Sequence, residues 1–505
     1  MIGPVAALLL VPVAGVGLTA ATRGRTRAML GLAAAGLTTA ATLHSTATVL
    51  LAGVPHVLRL RGPVGPEVAL VADGLAMSMV VMTAVVTLAV VAFAVAEDLR
   101  GPEGRHAAYW PLLLALWGGL NLLFLAGDLL TAYLMFELIA LCGALLVTLR
   151  GGRASLLAGT RYFYAELVAS TTMLLGVALV WWRAGTVVFD GLGPALAGDP
   201  LGQVGLAVVT AGLLLKLPLA PLHFWLPAAH TVAPGAVSPV LSGVMVKAAF
   251  AVLVRIWFLS APGLAPLSLV QLLGALGALA VLWGSVSALR ADELKRLIAA
   301  STVAQIGLMF LLPPLVAAGS ADGWTGGVVL AVTHALAKAA ILMVAVVVNE
   351  SAREAWALHR VVAGGRSQAL PGGRLDPERP PLAALRGSAA RRPVAVMAFG
   401  VAALSLVGLP PSGGFVAKWY LLLGSVAAGQ WWWAVVVVLG TLLTVGYLMR
   451  FIRPAFAPPP EEPTARRVDA RDVVALVLAL TTVVVGLWPG PLVDLVGVGG
   501  PVGGG

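Results

Sequence analysis

The chain has 505 residues, 60% of them hydrophobic and 11% charged, and its 32 Lys and Arg against 22 Asp and Glu give a formal net charge of +10. Average proteins carry about 25% charged residues, so this composition excludes a soluble globule and indicates a chain that crosses a membrane many times. The basic excess does not point to nucleic acid, because the arginines are spread over short loops without aromatic platforms.

The opening stretch, MIGPVAALLLVPVAGVGLTA, has no basic residue ahead of its apolar run and reads as a first span rather than a cleaved signal. Apolar runs of bilayer length then recur along the chain. They fall at about 3–20, 28–52, 73–96, 109–126, 129–149, 161–182, 203–226, 236–259, 267–289, 296–319, 324–349, 394–424, 431–453 and 471–489. The expected fold is an all-α polytopic membrane protein of about fourteen helices. A membrane β-barrel would need short alternating strands instead. Cys142 is the single cysteine, which excludes disulfides within the chain and Cys-based iron–sulfur or zinc sites, and its mid-span position suggests a small core residue.

Basic loops stay in the cytoplasm, so the arginines orient the spans. Arg23, Arg25, Arg27, Arg100, Arg105, Arg150, Arg153, Arg161, Arg290, Lys295 and Arg296 all follow odd-numbered spans, whereas even-numbered spans are followed by little beyond Arg59, Arg61 and Arg183. Both termini are therefore expected outside an inner (cytoplasmic) membrane. Residues 350–393 are rich in Gly, Pro and Arg and read as a flexible cytoplasmic linker, with a docking surface for another subunit as the sharper alternative. A shorter Pro-rich linker runs from Pro454 to Glu462, and no separate soluble domain is visible.

Two spans are interrupted. The seventh is broken by Pro218 and Pro221 and the twelfth by Pro410 and Pro411, each with a lysine nearby, Lys216 and Lys418. Five spans separate them, so two copies would lie in opposite orientations, the mark of an inverted-repeat transporter with its site near the midplane. The expected organisation is an N-terminal set of spans over 1–108, a first repeat over 109–259, a second over 267–453 and a last span and tail over 454–505. Broken helices are tolerated only where the freed backbone faces protein or water, which implies a hydrated interior.

Only five lysines occur, Lys216, Lys247, Lys295, Lys338 and Lys418, and four of them fall inside apolar segments. A guanidinium stays protonated, while an ammonium loses its proton readily when desolvated, so a cycling charge must be Lys. Lys216 stands roughly 20 Å from one end of its span by helix rise, beyond the reach of snorkelling. Each such charge costs about 2.5–3.5 kcal/mol on insertion scales, which pairing or hydration must offset. Glu137, a third of the way along the fifth span, is the natural counter-ion for Lys216. His334 and Lys338 are four residues apart and share a helix face, where a relay is preferred over a static polar contact. For His223 and His230, placed near a water interface beside the break, capping and proton transfer fit equally. Glu166 is expected in an interfacial salt bridge with Arg161, and Asp128 as a helix cap.

Phosphate-binding loops, metal-spaced His clusters and paired haem histidines are missing, so no cofactor and no metal is expected. YLMFELIAL around Glu137, LKLPLAPLHFWLPAAHTVAP at 215–234, VSPVLSGVMVK at 237–247, DELKRLIAASTVAQIG at 292–307, HALAKA at 334–339 and GLPPSGGFVAKW at 408–419 carry a resemblance. The stretch from about 109 to 453 resembles the antiporter-like membrane subunits of Mrp-type cation/proton antiporters, of complex I (NADH:quinone oxidoreductase, N, M and L types) and of membrane-bound hydrogenases. The resemblance implies a 14-helix fold with inverted five-helix repeats, Glu137 and Lys216 as a paired switch, Lys247 as the connecting lysine, His334 and Lys338 as the second-half relay, and Lys418 as terminal proton carrier. It further implies other membrane subunits as partners, with protons and Na+ or K+ as the ions moved. M-type subunits and many hydrogenase subunits have a glutamate where Lys418 stands, so Lys418 favours the Mrp D type or the complex I N type, although AHTVAPGAVSPVLSGVMVK also resembles hydrogenase subunits. The leading expectation is the D-type subunit of a Mrp antiporter. The alternatives are a proton-pumping subunit of a redox complex and a non-conducting structural subunit.

Overall fold

The computed structural model describes residues 2–60, 66–98, 107–362, 380–459 and 468–501. Among them, nine helices are long and apolar enough to cross a membrane, from Gly74–Asp98 to Ala470–Leu487. Five shorter apolar helices accompany them: Val5–Ala21, Tyr109–Leu125, Pro200–Lys216, Pro393–Val407 and Gly413–Ala427. Pro393–Val407 and Gly413–Ala427 are the two halves of the interrupted twelfth span, and Gly24–Ala52 adds a long helix that is less apolar. The polytopic helical architecture matches the expectation, with one addition: an antiparallel hairpin of His56–Leu60 on Val68–Ala72, paired from His56↔Ala72 to Leu60↔Val68. Both strands are short and rich in Val and Leu, and they lie between spans where no apolar run signals them.

The spans differ in what surrounds them. Over their most apolar stretches, Ser238–Ser260, Leu294–Ala317 and Ala321–Glu354 are wholly buried, whereas Trp432–Phe456 and Ala470–Leu487 are only one-third buried. The outer helices expose large apolar side chains such as Leu175, Leu279, Trp283 and Leu442. In lipid this is the expected polarity, since every backbone group is satisfied inside its own helix and apolar side chains face the hydrocarbon. Polar and charged residues are therefore gathered on the three central helices and the elements touching them. Cys142 is buried, as its position suggested.

Ion pairs tie the helix ends on both faces. At one end of Gly74–Asp98, Asp73 accepts two hydrogen bonds from the Arg255 guanidinium at 2.7 and 2.8 Å, with both side chains buried. At the other end, roughly 37 Å away by helix rise, Arg471 contacts Glu97, Glu350 and Asp469, and Arg392 contacts Asp469 and Asp472. That network joins four spans, and Asp469 also caps the last of them.

The linker expected over 350–393 is ordered at both margins. The helix Ala321–Val362 continues past residue 350, where Glu350 contacts Arg471 at 2.7 Å, and Leu382–Leu385 and Ser388–Arg391 form short helical turns before Pro393. Residues 363–379 of that linker, and 460–467 near the Pro-rich segment, lie outside the described residues, as do Arg61, Arg100 and Arg105.

Candidate functional site

The helix Pro200–Lys216 ends on Lys216 itself, and the chain then runs unwound through Pro218 and Pro221, with a cis Ala220–Pro221 bond, to the short helix Leu226–Val232. Gly212 lets this helix meet Gly152–Ala184 backbone to backbone: a Cβ there would lie 2.8 Å from Ala169 O and Met173 N. One turn further along, Lys216 is thereby set against Glu166 and Ser170, themselves one turn apart. Its Nζ donates to Glu166 Oε2 and to Ser170 Oγ, both at 2.8 Å, and lies 5.0 Å from the centre of the Phe136 ring.

This overturns two expectations. Lys216 pairs with Glu166, not with Glu137, and Glu166 is buried and turned from the exposed Arg161. Five residues on a helix is about 140° of rotation, which carries Glu166 to the inner face while Arg161 faces outward. Glu137 stands next to Phe136 with an enclosed Oε1 that accepts from no described group. Of the two acids, only Glu166 lines the cavity beside Lys216. Asp128 is the expected cap, accepting from Thr131 N at 2.7 Å, and it also accepts from Ala69 N of the hairpin at 3.0 Å.

Lys247 is fully buried on Ser238–Ser260, between two π-helical stretches, Leu241–Met245 and Arg255–Ser260. Its Nζ donates to Ser242 O at 3.0 Å. The Ser242 hydroxyl meets Thr302 Oγ1 at 2.9 Å, and Thr302 shares Ile298 O with Lys338, at 3.1 and 2.6 Å respectively. Lys338 also donates to Ser301 Oγ. His334 is buried one turn before Lys338 within electrostatic range of Lys247, Lys338 and Lys418, and neither ring nitrogen has a partner among the described residues.

At the second break, Gly408 takes a left-handed turn (φ 82°) after Pro393–Val407, and Ser412 caps Gly413–Ala427 beyond the cis Pro410–Pro411 bond. Gly414 passes so close to the first half that a Cβ would lie 1.8 Å from Ser405 O. Lys418 therefore reaches back across the break. Its Nζ donates to Leu406 O at 3.0 Å, Val407 O at 2.8 Å and Thr441 Oγ1 at 3.1 Å, occupying carbonyls left free at the C-terminal, negative end of the half-helix.

His230 departs from expectation. It is buried rather than interfacial, lines the same cavity as Glu166 and Lys216, and lies within electrostatic range of Lys338, Lys295 and Lys247. His223 is partly exposed and packs edgewise on Trp283. A polar cavity of about 420 Å³, lined by Arg150, Glu293, Lys295, Asn349 and Arg353 among others, opens near His230 and approaches it through Lys295, which donates to Ala233 O at 3.4 Å. Among the described residues, no group of His, Cys, Asp or Glu could hold a metal ion.

A family model described as NADH:quinone oxidoreductase/Mrp antiporter, TM, matches residues 126–444. The chain belongs to this family. Relatives within reach of it include the NADH-quinone oxidoreductase subunit N of Desulforudis audaxviator (strain MP104C), 31% identical over 83% of this chain and 82% of the relative. Another is the F(420)H(2) dehydrogenase subunit N of Methanosarcina mazei, 28% identical over 77% and 76%. Among solved structures, a chain of the Mrp complex from Dietzia sp. DQ12-45-1b matches with TM-score 0.84 at 26% identity, covering 99% of this chain and 97% of that one. A chain of respiratory complex I from Thermus thermophilus matches with TM-score 0.73 at 26% identity, covering 98% and 100%. The protein is thus an antiporter-like membrane subunit of the NADH:quinone oxidoreductase/Mrp family, and the matched region contains the whole chain of buried lysines.

Proposed function

We propose that this chain translocates protons across an inner (cytoplasmic) membrane as one subunit of a larger membrane complex. The observation that carries the reading is the row of four buried lysines. Lys216 is held by a carboxylate, while Lys247, Lys338 and Lys418 touch only carbonyl and hydroxyl groups, with no carboxylate at ion-pair distance among the described residues. A lysine so held exchanges its proton when a neighbouring charge moves, which an arginine would not do. Protons enter from the cytoplasmic side and load Lys216, whose carboxylate partner sets its occupancy. They pass to Lys247, then to His334 and Lys338, and leave from Lys418. Glu137 takes part as a second acid beside the Lys216 pair. The two broken helices, at Pro218 and Pro221 and at Pro410 and Pro411, mark corresponding points of two inverted repeats, and both termini lie outside.

The complex served is a Mrp-type monovalent cation/proton antiporter, this chain standing as its D-type component with other membrane subunits as partners and Na+ or K+ as counter-transported ions. A lysine at 418 and the TM-score of 0.84 to a chain of a Mrp complex support that assignment. The second reading, a proton-pumping subunit of a redox complex, is favoured by the sequence relatives named as N subunits. Purification in mild detergent separates them: small membrane partners alone support the antiporter, and flavin- or iron–sulfur-bearing partners support the redox complex. Lys216→Ala in the reconstituted complex should abolish proton translocation. An unchanged rate there would leave only a structural role.

A further inference from the structure

Between Lys338 and Lys418 the polar groups are not confined to His334. Tyr447, on the helix Trp432–Phe456, is completely buried, and its hydroxyl is hydrogen-bonded to Thr444 Oγ1 at 3.1 Å and receives Gln305 Nε2 at 3.4 Å. Ser301, to which Lys338 donates, stands one turn before Gln305 on the helix Leu294–Met309, on the side that Gln305 turns to Tyr447, within electrostatic range of that hydroxyl. At the far end, Lys418 donates to Thr441 Oγ1. Thr441, Thr444 and Tyr447 follow one another at three-residue spacing, so each is the next one's neighbour along an arc of about 120° on one helix.

We infer that this arc is a hydroxyl ladder that carries protons from Lys338 to Lys418, through Ser301, Tyr447, Thr444 and Thr441, alongside the histidine. The inference rests on the proton-translocating reading above and deepens it. A hydroxyl both donates and accepts, so it can take a proton on its oxygen while releasing its own, which a carbonyl cannot do. In sequence, the Lys338 ammonium gives a proton to Ser301 Oγ, Ser301 releases its own to Tyr447, Tyr447 to Thr444, and Thr444 through Thr441 to the neutral Lys418 amine. Lys338 ends neutral, Lys418 ends as ammonium, and only O–H and N–H bonds form and break. At rest Ser301 points its proton at Ile298 O, 2.9 Å away, and Thr444 points its own at Gly440 O, 2.6 Å away, so a rotation of both hydroxyls must precede the transfer. That rotation is the natural gate of the ladder.

Two further observations belong to the same gap. Gln305 donates to Leu406 O, which also accepts from Lys418, at 3.4 and 3.0 Å, so one carbonyl joins the ladder's side partner to the terminal lysine. Gln305 Oε1 and Ser405 Oγ, both buried, have no partner among the described residues. Buried polar atoms of this kind are the usual seats of bound water, which would complete the step between threonine and lysine.

The test is proton translocation by the intact complex reconstituted into vesicles, comparing Tyr447→Phe, Thr441→Val and the double variant with Lys418→Ala. Tyr447→Phe keeps the ring and loses only the hydroxyl, and it should slow translocation about tenfold, below the usual range for a lost proton-transfer group because His334 remains. Thr441→Val should give a similar deficit. The double variant should be no slower than either single, since both remove rungs of one path. Additive deficits, or parental rates in both singles while Lys418→Ala abolishes transport, would overturn the ladder and leave the proton reading standing. Parental rates in Lys418→Ala as well would overturn that reading too. Should Tyr447→Phe fail to assemble, Thr441→Val alone decides, a parental rate counting against the ladder.

Discussion

Glu166 and Lys216, fifty residues apart in sequence, form a buried ion pair at 2.8 Å, and Ser170, one turn beyond Glu166, accepts a second hydrogen bond from the ammonium. Their meeting depends on two helices touching at Gly212, and it leaves Glu137, the acid expected from the sequence as the counter-ion, outside the pair.

This geometry separates the two glutamates experimentally. Glu166→Gln removes the charge that compensates a buried ammonium, and breaking one side of such a pair costs about 3–5 kcal/mol. A marked fall in the thermal unfolding temperature of the detergent-purified complex is expected, together with loss of translocation. Glu137→Gln should leave that temperature near the parental value while slowing translocation. Equal destabilisation by the two variants would contradict the assignment of Glu166 as partner.

Lys418→Arg tests whether the terminal cation must release its proton. Arginine supplies donors for Leu406 O and Val407 O and keeps a positive charge at the C-terminal end of the half-helix, but it stays protonated. The variant should assemble with its partner subunits in normal yield and translocate no protons in vesicles. Transport at the parental rate would remove Lys418 from the path.

The pair Asp73 and Arg255 lies away from the lysine row and holds the start of Gly74–Asp98 to the end of Ser238–Ser260. Arg255→Met should destabilise the complex by about 3–5 kcal/mol, since Asp73 is left buried without its partner. Protein that remains folded should still translocate protons. Complete loss of transport at unchanged stability would instead place the pair on the path.

Asp469 predicts a pH dependence. Burial works against its ionisation, but hydrogen bonds from the Arg471 backbone and guanidinium and from Arg392 outweigh it and hold the carboxyl below its usual range. A depressed carboxylate contributes stability that is present above its unfolded value, near 3.9, and is lost as pH falls through the lower folded value. The stability difference between the parent and Asp469→Asn should therefore be fully expressed near neutral pH and close progressively below about pH 4. A difference that persists unchanged to pH 2 would assign the effect to packing.

Much of the site was legible because membrane chemistry is strict. Lysines deep in apolar runs are too costly to be incidental, and prolines in the middle of a span declare a broken helix, so Lys216, Lys247, His334, Lys338, Lys418 and both breaks could be named from the chain alone. Glu166 was misread because Arg161 stands close to it in sequence and the face each occupies depends on packing. His230 was set at a water interface from its distance to the break, but the short helix Leu226–Val232 folds inward beside the Lys216 cavity. Ser301, Thr302, Gln305 and Tyr447 carry no sequence signal of their own, since hydroxyl and amide residues are common in membrane helices and reveal a role only when neighbours are known.

The amino-acid order by itself determined which segments enter the bilayer, where two of them break, and which charges are carried inside, because each of these is a transfer cost summed along a single helix. Which acid meets Lys216, which hydroxyls stand between Lys338 and Lys418, and which arginines lock the helix ends were decided only by tertiary structure. Those pairings depend on the rotation and closest approach of helices distant in sequence. At Gly212 and Gly414 that approach is set by backbone meeting backbone, at separations a single Cβ would forbid.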